Sequence, residues 1–311
     1  VRTDTTALAL LRLGHALRRS GYEFVTVTPE THIRVQTRAA QSGELHAKTL
    51  RDVFGWNWPF ERSMLPDDLF ALLESADAIE HSEQGMRSRV RFSTLAGRLF
   101  VHSAFPTSAA DAVFFGPDTY RFCSLLQRWA PEVERAVDVG CGSGAGGITL
   151  AGRAQHIVLA DISPQALAYA EINASLAGVS VTLVNSDVLQ AVAGPIDLIV
   201  SNPPYMRDDA ARIYRDGGGA YGEALSVRIV REALTKLGTR GMLILYTGAA
   251  IVDGVDRFYQ ALKPALEAWS GEVTYVELDP DVFGDELERP GYANVERIAA
   301  VGLRVRGSTA P

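Results

Sequence analysis

Two short stretches of this chain carry residue types that could do chemistry together. Asn202-Pro203-Pro204-Tyr205 follows the apolar run Ile196-Asp197-Leu198-Ile199-Val200-Ser201, which reads as a buried parallel strand. About sixty residues earlier, Val137-Asp138-Val139 runs into Gly140-Cys141-Gly142-Ser143-Gly144, a strand entering a glycine turn. Glycines there let the chain bend sharply and let a small cofactor approach the backbone closely. The side-chain carbonyl of Asn202 and the backbone carbonyl of Pro203 can each accept one N–H bond from a planar NH2 group. That geometry fixes the nitrogen and turns its lone pair toward a reaction partner, a gain of orientation and electrostatic preorganisation. The prolines remove competing donors and stiffen the turn, and the Tyr205 ring is expected to stack on a planar group. No strong general base is required, and none is evident.

The elements that must position these residues alternate from Glu134 onward. Strands are expected at Ala136–Val139, Ile157–Ala160, Val181–Val184, Ile196–Ser201, Met242–Tyr246, Val273–Leu278 and Glu296–Val305. Helices fill the gaps at about 145–154, 164–177, 222–237 and 253–266, with Ser163-Pro164 as a start signal and Gly178 as a stop. Such alternation predicts a mostly parallel sheet with helices on both faces. The last two strands lack a helical crossover and should pair antiparallel.

The glycine turn by itself leaves two cofactor classes open. Gly140-x-Gly142-x-x-Ala145 also fits a dinucleotide fingerprint, and Asp161 at the next strand end suits any ribose diol. Ser186-Asp187 after the third strand and Asn-Pro-Pro-Tyr after the fourth favour a different reading. Together these motifs resemble the class I S-adenosylmethionine-dependent N-methyltransferases, over residues 112 to 306. The resemblance implies a Rossmann-like methyltransferase sheet and S-adenosylmethionine as cofactor. It places Asp138 near the methionine amino group, Asp161 on the ribose hydroxyls and Asp187 on the adenine amine. Gly140, Gly142, Gly144, Ile162, Val188 and Asn202 complete the expected cofactor set, and Asn202, Pro203 and Tyr205 the catalytic set. Enzymes with this tetrapeptide methylate either the glutamine of release factors or adenine N6 in nucleic acid. Pro117-Asp118-Thr119 looks like a segment of the glutamine enzymes that closes over the cofactor, although Tyr120 stands where they carry an acid. The resemblance therefore favours a protein glutamine amide slightly. A nucleobase of RNA or DNA (adenine N6 or guanine N2), a small molecule, or a non-catalytic partner role stay open.

The first 110 residues have a different texture and read as a separate substrate-recognition domain, with residues 111–311 as the catalytic one. Helices are expected at Thr6–Arg19, Thr49–Phe54 and from Pro66, and strands at Phe24–Val27, Arg87–Phe92 and Leu99–His102. That order suggests a small α+β or winged-helix-like unit. Arg87, Arg89 and Arg91 would share a strand face, either gripping an acidic partner or charging an exposed edge. Trp56 and Trp58 suit packing better than base stacking. Met206–Tyr221, with three consecutive glycines, reads as a lid or a plain loop, and Arg207, Arg212 and Arg215 within it as solvated or phosphate-facing.

Composition narrows the classes. Of 311 residues 47% are hydrophobic, and no apolar run approaches a membrane span. Residues 1–110 hold 13 Lys and Arg against 12 Asp and Glu, and the remainder 17 against 25. An acidic catalytic half argues against wrapping a long nucleic acid. Two cysteines exclude a disulfide framework, and Cys141 is a small residue that fits the turn. Six scattered histidines offer no metal-ligand spacing. Val1-Arg2-Thr3-Asp4 shows no basic-then-apolar leader, and the low cysteine content fits an expected cytoplasmic location.

Overall fold

A computed structural model describes residues 4–238 and 240–308; most of the opening tetrapeptide lies outside them. The chain begins with α1 (Asp4–Arg19), α2 (Pro29–Gln41), α3 (Leu50–Phe54) and α4 (Asp67–Ser75). Thr28 and Thr49 cap α2 and α3 through their hydroxyls, and Asp67 and Asp68 sit at the positive end of α4. Two separate antiparallel pairs follow: β1 (Ile79–Ser82) with β2 (Gly85–Ser88), and β3 (Val90–Leu95) with β4 (Arg98–Ser103). The region is α+β.

Three expectations for this region need correction. Arg87–Phe92 is no single strand: the chain leaves β2 at Ser88 and enters β3 at Val90, so the three arginines point into different surroundings. Phe24–Val27 is extended but joins no sheet; its contact with β3 runs from Thr94 N–H to the Phe24 carbonyl at 2.7 Å. Helix α2 was not anticipated, because it is largely polar and the one residue it fully buries is His32.

The catalytic half runs α5 (Pro117–Trp129), β5 (Val133–Val139), α6 (Ala145–Thr149), β6 (Ala154–Asp161), α7 (Pro164–Ala177), β7 (Thr182–Asn185), β8 (Leu198–Ser201) and α8 (Ala224–Lys236). It ends with β9 (Met242–Val252), β10 (Val255–Asp256), α9 (Arg257–Glu267), β11 (Glu272–Asp279) and β12 (Arg297–Arg306). The sheet order is β11-β12-β9-β8-β5-β6-β7, with β10 folding back on β9. Strands β9, β8, β5, β6 and β7 are parallel, and β12 pairs antiparallel with both β9 and β11, so of these seven it alone runs against the others. This is the mostly parallel class I methyltransferase sheet, with antiparallel pairing at its end. All eleven residues of β9 are buried, so its core covers both faces.

The order reverses beside β5, whose neighbours β6 and β8 continue in opposite directions along the sheet. Ligands bind outside the carboxyl ends of strands at such a switch point. Register brings Val139 beside both Ala160 and Ser201, and Asp161 beside Asn185. The four motifs therefore emerge along one edge.

Packing crosses the division at residue 110. The N-terminal core, built on Leu10, Leu13, Phe54 and Phe92, also takes in Tyr169, Ile172 and Leu176 of α7. Buried Asn173 of α7 clasps β4: it accepts from Val101 N–H at 2.7 Å and donates to the Val101 and Ser143 carbonyls at 3.0 and 2.9 Å. The N-terminal region thus rests on the same helix that follows the cofactor-side strand β6.

Candidate active site

A cavity of about 410 Å³ opens at the carboxyl ends of β5 to β8. Gly140 and Gly142 form its floor with φ of 65° and 53°, a left-handed bend that other residues resist. The bend is pinned from β6. Gly140 and Cys141 N–H donate to the Ala160 carbonyl at 2.8 and 3.1 Å, and Gly142 N–H donates to Asp161 Oδ2 at 2.9 Å. Asp161 Oδ1 accepts from Ser163 N–H at 2.8 Å. Gly144 ends the turn as the N-cap of α6, behind the cavity wall. Cys141 lines the cavity, and burial holds its thiol well above the ordinary range, so it keeps its proton.

Asp138 also faces the cavity, 2% exposed, with Oδ2 accepting from Gly147 N–H at 2.7 Å. No cationic side chain pairs with it among the described residues. Burial pushes this carboxyl up to about 7, and burial also raises Asp161. A buried carboxyl lacking a cation suits a ligand that brings a positive charge, as an amino-acid ammonium does.

Asp187 and Val188 line the far end with Ile162. Ile162 is 54% exposed, unusual for its type, and Val188 is held at φ 51°, an outlier for a β-branched residue. The pair would suit the faces of a flat ring. Both oxygens of Asp187 are engaged by Arg228, at 2.9 and 2.8 Å, and keep further lone pairs.

At the opposite wall the turn after β8 enters. Ser201 Oγ donates to the Val139 carbonyl at 2.7 Å and locks the turn to β5. Asn202, Pro203 and Pro204 line the cavity with Asp138 and the glycines. Among the described residues, the Asn202 amide makes no hydrogen bond, and the Pro203 carbonyl accepts none. Tyr205 departs from its expected role. Its ring lies outside the cavity, 7% exposed, edge-on to Phe283 at 6.1 Å. A Cβ at Gly248 of β9 would stand 2.3 Å from that ring, so the glycine makes its seat. The Tyr205 hydroxyl donates to buried Asp118 at 2.6 Å; Tyr246 and Arg121 donate to the other oxygen at 2.7 and 3.2 Å. Tyr205 is a strut that holds the turn rather than a stacking face.

The segment from Met206 to Tyr221 folds over the cavity mouth. Met206 and Asp216 form an isolated bridge, and Asp208 is clamped by Arg212 at 2.8 Å and lies 3.5 Å from Arg215. Arg215 also pairs with buried Glu286, so Arg212 and Arg215 are used internally and neither solvated nor free for phosphate. Arg207 is half exposed beside Asp209. Ile213 N–H donates to the Ala110 carbonyl at 3.2 Å, and the Tyr214 hydroxyl donates to the Thr107 carbonyl at 2.5 Å. Tyr214 also stacks on Phe114, rings 6.3 Å apart and 8° from parallel. The lid is thus pinned to the chain entering α5. Gly217 in this segment and Gly222 just after it press on the turn that follows β8. A Cβ at Gly222, where φ is 92°, would come within 2.2 Å of the Tyr205 carbonyl oxygen.

Sequence reasoning missed three contributors. Phe114 and Thr119 line the cavity. Asp118, in the segment expected to close over the cofactor, instead anchors Tyr205. Its Pro-Asp-Thr setting marked the segment but not which way each side chain faces. Of the N-terminal arginines, Arg91 is buried, Arg87 donates to the Asn57 carbonyl at 3.0 Å, and Arg89 is exposed beside Asp77.

Residues 122–250 match the methyltransferase small domain family. Over 123 residues the chain is 37% identical to the release factor glutamine methyltransferase of Deinococcus radiodurans, covering 38% of this chain and 44% of that protein. Over 119 residues it is 34% identical to the ribosomal RNA small subunit methyltransferase C of Chromohalobacter salexigens, covering 38% of this chain and 33% of the other. The aligned stretches thus span less than half of either relative. A putative transferase of Pyrococcus horikoshii shares the fold at a TM-score of 0.51 and 13% identity, over 91% of this chain and 86% of that one. No helix among the described residues is long and apolar enough to cross a membrane.

Proposed function

We propose that this chain transfers a methyl group from S-adenosylmethionine to a planar NH2 nitrogen of a macromolecule, a protein glutamine amide being the favoured acceptor. The observation that carries this reading is the Asn202 amide, free of internal bonds, in the same cavity as the glycine turn and Asp138. When bound, the cofactor supplies an electrophilic methyl group on a sulfonium. Asp138 would hold its ammonium, Asp161 its ribose hydroxyls, and Asp187, Ile162 and Val188 its adenine. The Asn202 side-chain carbonyl and the Pro203 carbonyl each accept one N–H of the acceptor, which orients the nitrogen lone pair inward. Ser201 and the Tyr205–Asp118 strut keep that corner rigid, and the lid excludes water through Ile213 and Tyr214. The acceptor's surplus proton leaves to water. The N-terminal region, seated on α7 beside the lid anchor, selects the acceptor.

The protein relatives named for release factors support an amide acceptor, and the acidic catalytic half is consistent with it. The test is transfer of labelled methyl groups from S-adenosylmethionine into a lysate of cells lacking the gene. Label removed by protease and retained after nuclease supports the amide. Label removed by nuclease would move the acceptor to a nucleobase, and no macromolecular label would refute the reading.

A further inference from the structure

A second, small cavity of about 30 Å³ lies beside the proposed active site and shares only Phe114 with it, between the extended chain at 26–28, α2 and the β3–β4 pair. Its dominant feature is Arg91, 3% exposed and free of any ion pair among the described residues. Arg91 Nε donates to the Gly55 carbonyl at 2.7 Å, and the guanidinium lies over the Phe24 ring at 5.6 Å. Its Nη2 is buried and has no partner. Burial lowers the guanidinium only to about 10, so the charge persists at neutral pH. A buried cation without a counter-charge is costly unless something supplies one.

The neighbouring groups add donors and no negative charge. His102 stands across the ladder from Arg91; its Nε2 lies 2.7 Å from Ser93 Oγ and its Nδ1 3.1 Å from the Ser103 carbonyl. His32, 1% exposed, leaves Nδ1 without a partner. Gln36 Nε2 donates to the Trp56 carbonyl at 3.3 Å, which orients that amide, and lies 3.2 Å from His32 Nε2. His32 Nε2 is then the acceptor, so the hydrogen-bond network assigns the ring proton to Nδ1. Burial and the nearby Arg91 keep His32 and His102 neutral. No Asp or Glu lines the cavity. Two side chains that each carry a buried nitrogen without a partner, one of them cationic, thus line a space of about 30 Å³. The small space suits a small ligand, and a planar carboxylate matches the fork of a guanidinium.

We propose that Arg91 and His32 form a binding site for a small carboxylate, either free or at the end of a peptide. The half-exposed mouth includes Phe105, Thr107 and Phe114. Thr107 and Phe114 are also the residues that hold Tyr214 of the lid. An occupant would therefore brace the lid anchor from behind.

The test titrates full-length protein with sodium formate against sodium chloride at matched ionic strength, by calorimetry and by thermal unfolding. A peptide with a free carboxyl end and its amidated form make a second arm. Neither readout needs methyl transfer, so this site can stand or fall independently of the proposed activity. The expected result is saturable one-to-one formate binding that raises the unfolding temperature more than chloride does. His32→Phe, which keeps a ring packed against Phe105 (centroids 4.2 Å apart), should weaken binding about tenfold, and Arg91→Gln should abolish it. Preference for the acid peptide over its amide assigns the carboxylate to a peptide end; indifference to the peptides assigns it to a free acid. If Arg91→Gln fails to fold, the wild-type titration and His32→Phe decide. The proposal is overturned by absence of saturable formate binding to folded wild type, by equal response to chloride, or by unchanged affinity in His32→Phe.

Discussion

Replacing Asp138 with Asn should stabilise the ligand-free protein at alkaline pH while weakening its hold on S-adenosylmethionine. The carboxyl is 2% exposed and burial raises it from 3.8 to about 7. Because the folded value lies above the unfolded one, the sign is fixed. Below about pH 4 both states hold the proton and the group costs nothing. Between about pH 4 and 7 the unfolded chain ionises first, and stability falls by about 1.4 kcal/mol per unit. Above about pH 7 the loss is complete, about 4 kcal/mol as an upper figure. Asn carries no such dependence. Its carbonyl can still accept from Gly147 N–H, but its buried NH2 lacks a partner and costs about 1–3 kcal/mol at every pH. The variant should therefore equal or trail the wild type near pH 4 and exceed it by roughly 1–3 kcal/mol near pH 8. Urea unfolding of both proteins across that range isolates the effect, since other titrating groups cancel in the difference. A stability difference that stays flat between pH 4 and 8 would falsify the desolvation account. With cofactor, the order reverses: wild-type affinity should drop as pH falls below about 7, and the variant's should be weaker by about 10- to 100-fold and insensitive to pH.

Other substitutions separate positioning from binding. Asn202→Ala should lower turnover by about 100- to 1,000-fold with cofactor affinity nearly unchanged, measured by calorimetry beside single-turnover methyl transfer; loss of both would reassign the residue. Tyr205→Phe removes the 2.6 Å bond to Asp118 and should cost about 1–3 kcal/mol in urea unfolding with a fall in kcat rather than a rise in KM. Gly248→Val would fill the seat of the Tyr205 ring and should cut kcat more than Tyr205→Phe does; equal activity to wild type would show that the strut is dispensable. Gly222→Ala meets both a left-handed backbone and the Tyr205 carbonyl, so reduced stability and turnover together are expected, and a silent variant would refute the lid contact.

The sheet and the four strand-end motifs were legible because each rests on local signals. Apolar runs of strand length, a Ser-Pro helix start at Ser163 and a glycine stop at Gly178 need no tertiary partner to be read, and α7 begins and ends where they lie. What depended on side-chain direction was not legible. The strand expected to end at Tyr246 continues as β9 to Val252, held by pairing with β12 as far as Ile251, and Gly248 within it is the hollow that receives Tyr205. Arg87, Arg89 and Arg91 alternate in sequence, but the break between β2 and β3 at Arg89 cancels the shared face. Arg212 and Arg215 resembled free cations because their partners, Asp208 and Glu286, are acids whose burial only the folded chain reveals.

Those same contacts say how the lid and the corner depend on each other. The corner at Asn202 has little internal support of its own: Ser201 ties it to β5, and beyond Pro203 its backbone is held through Tyr205, Gly217 and Gly222. Gly217 belongs to the lid and Gly222 directly follows it, and the lid is also fastened to Thr107 and Ala110 of the N-terminal side. A disturbance at Thr107 thus reaches Asn202 through close backbone packing rather than through a charge. Arg212 contributes at both points, donating to Asp208 and lying 3.2 Å from the Tyr214 hydroxyl. Arg212→Met should accordingly loosen the lid without touching the cofactor residues. Protease nicking between 206 and 221 should rise, and kcat should fall while cofactor affinity holds within a few-fold. If nicking stayed at the wild-type rate and kcat still fell, the lid would not be the element that carries the effect.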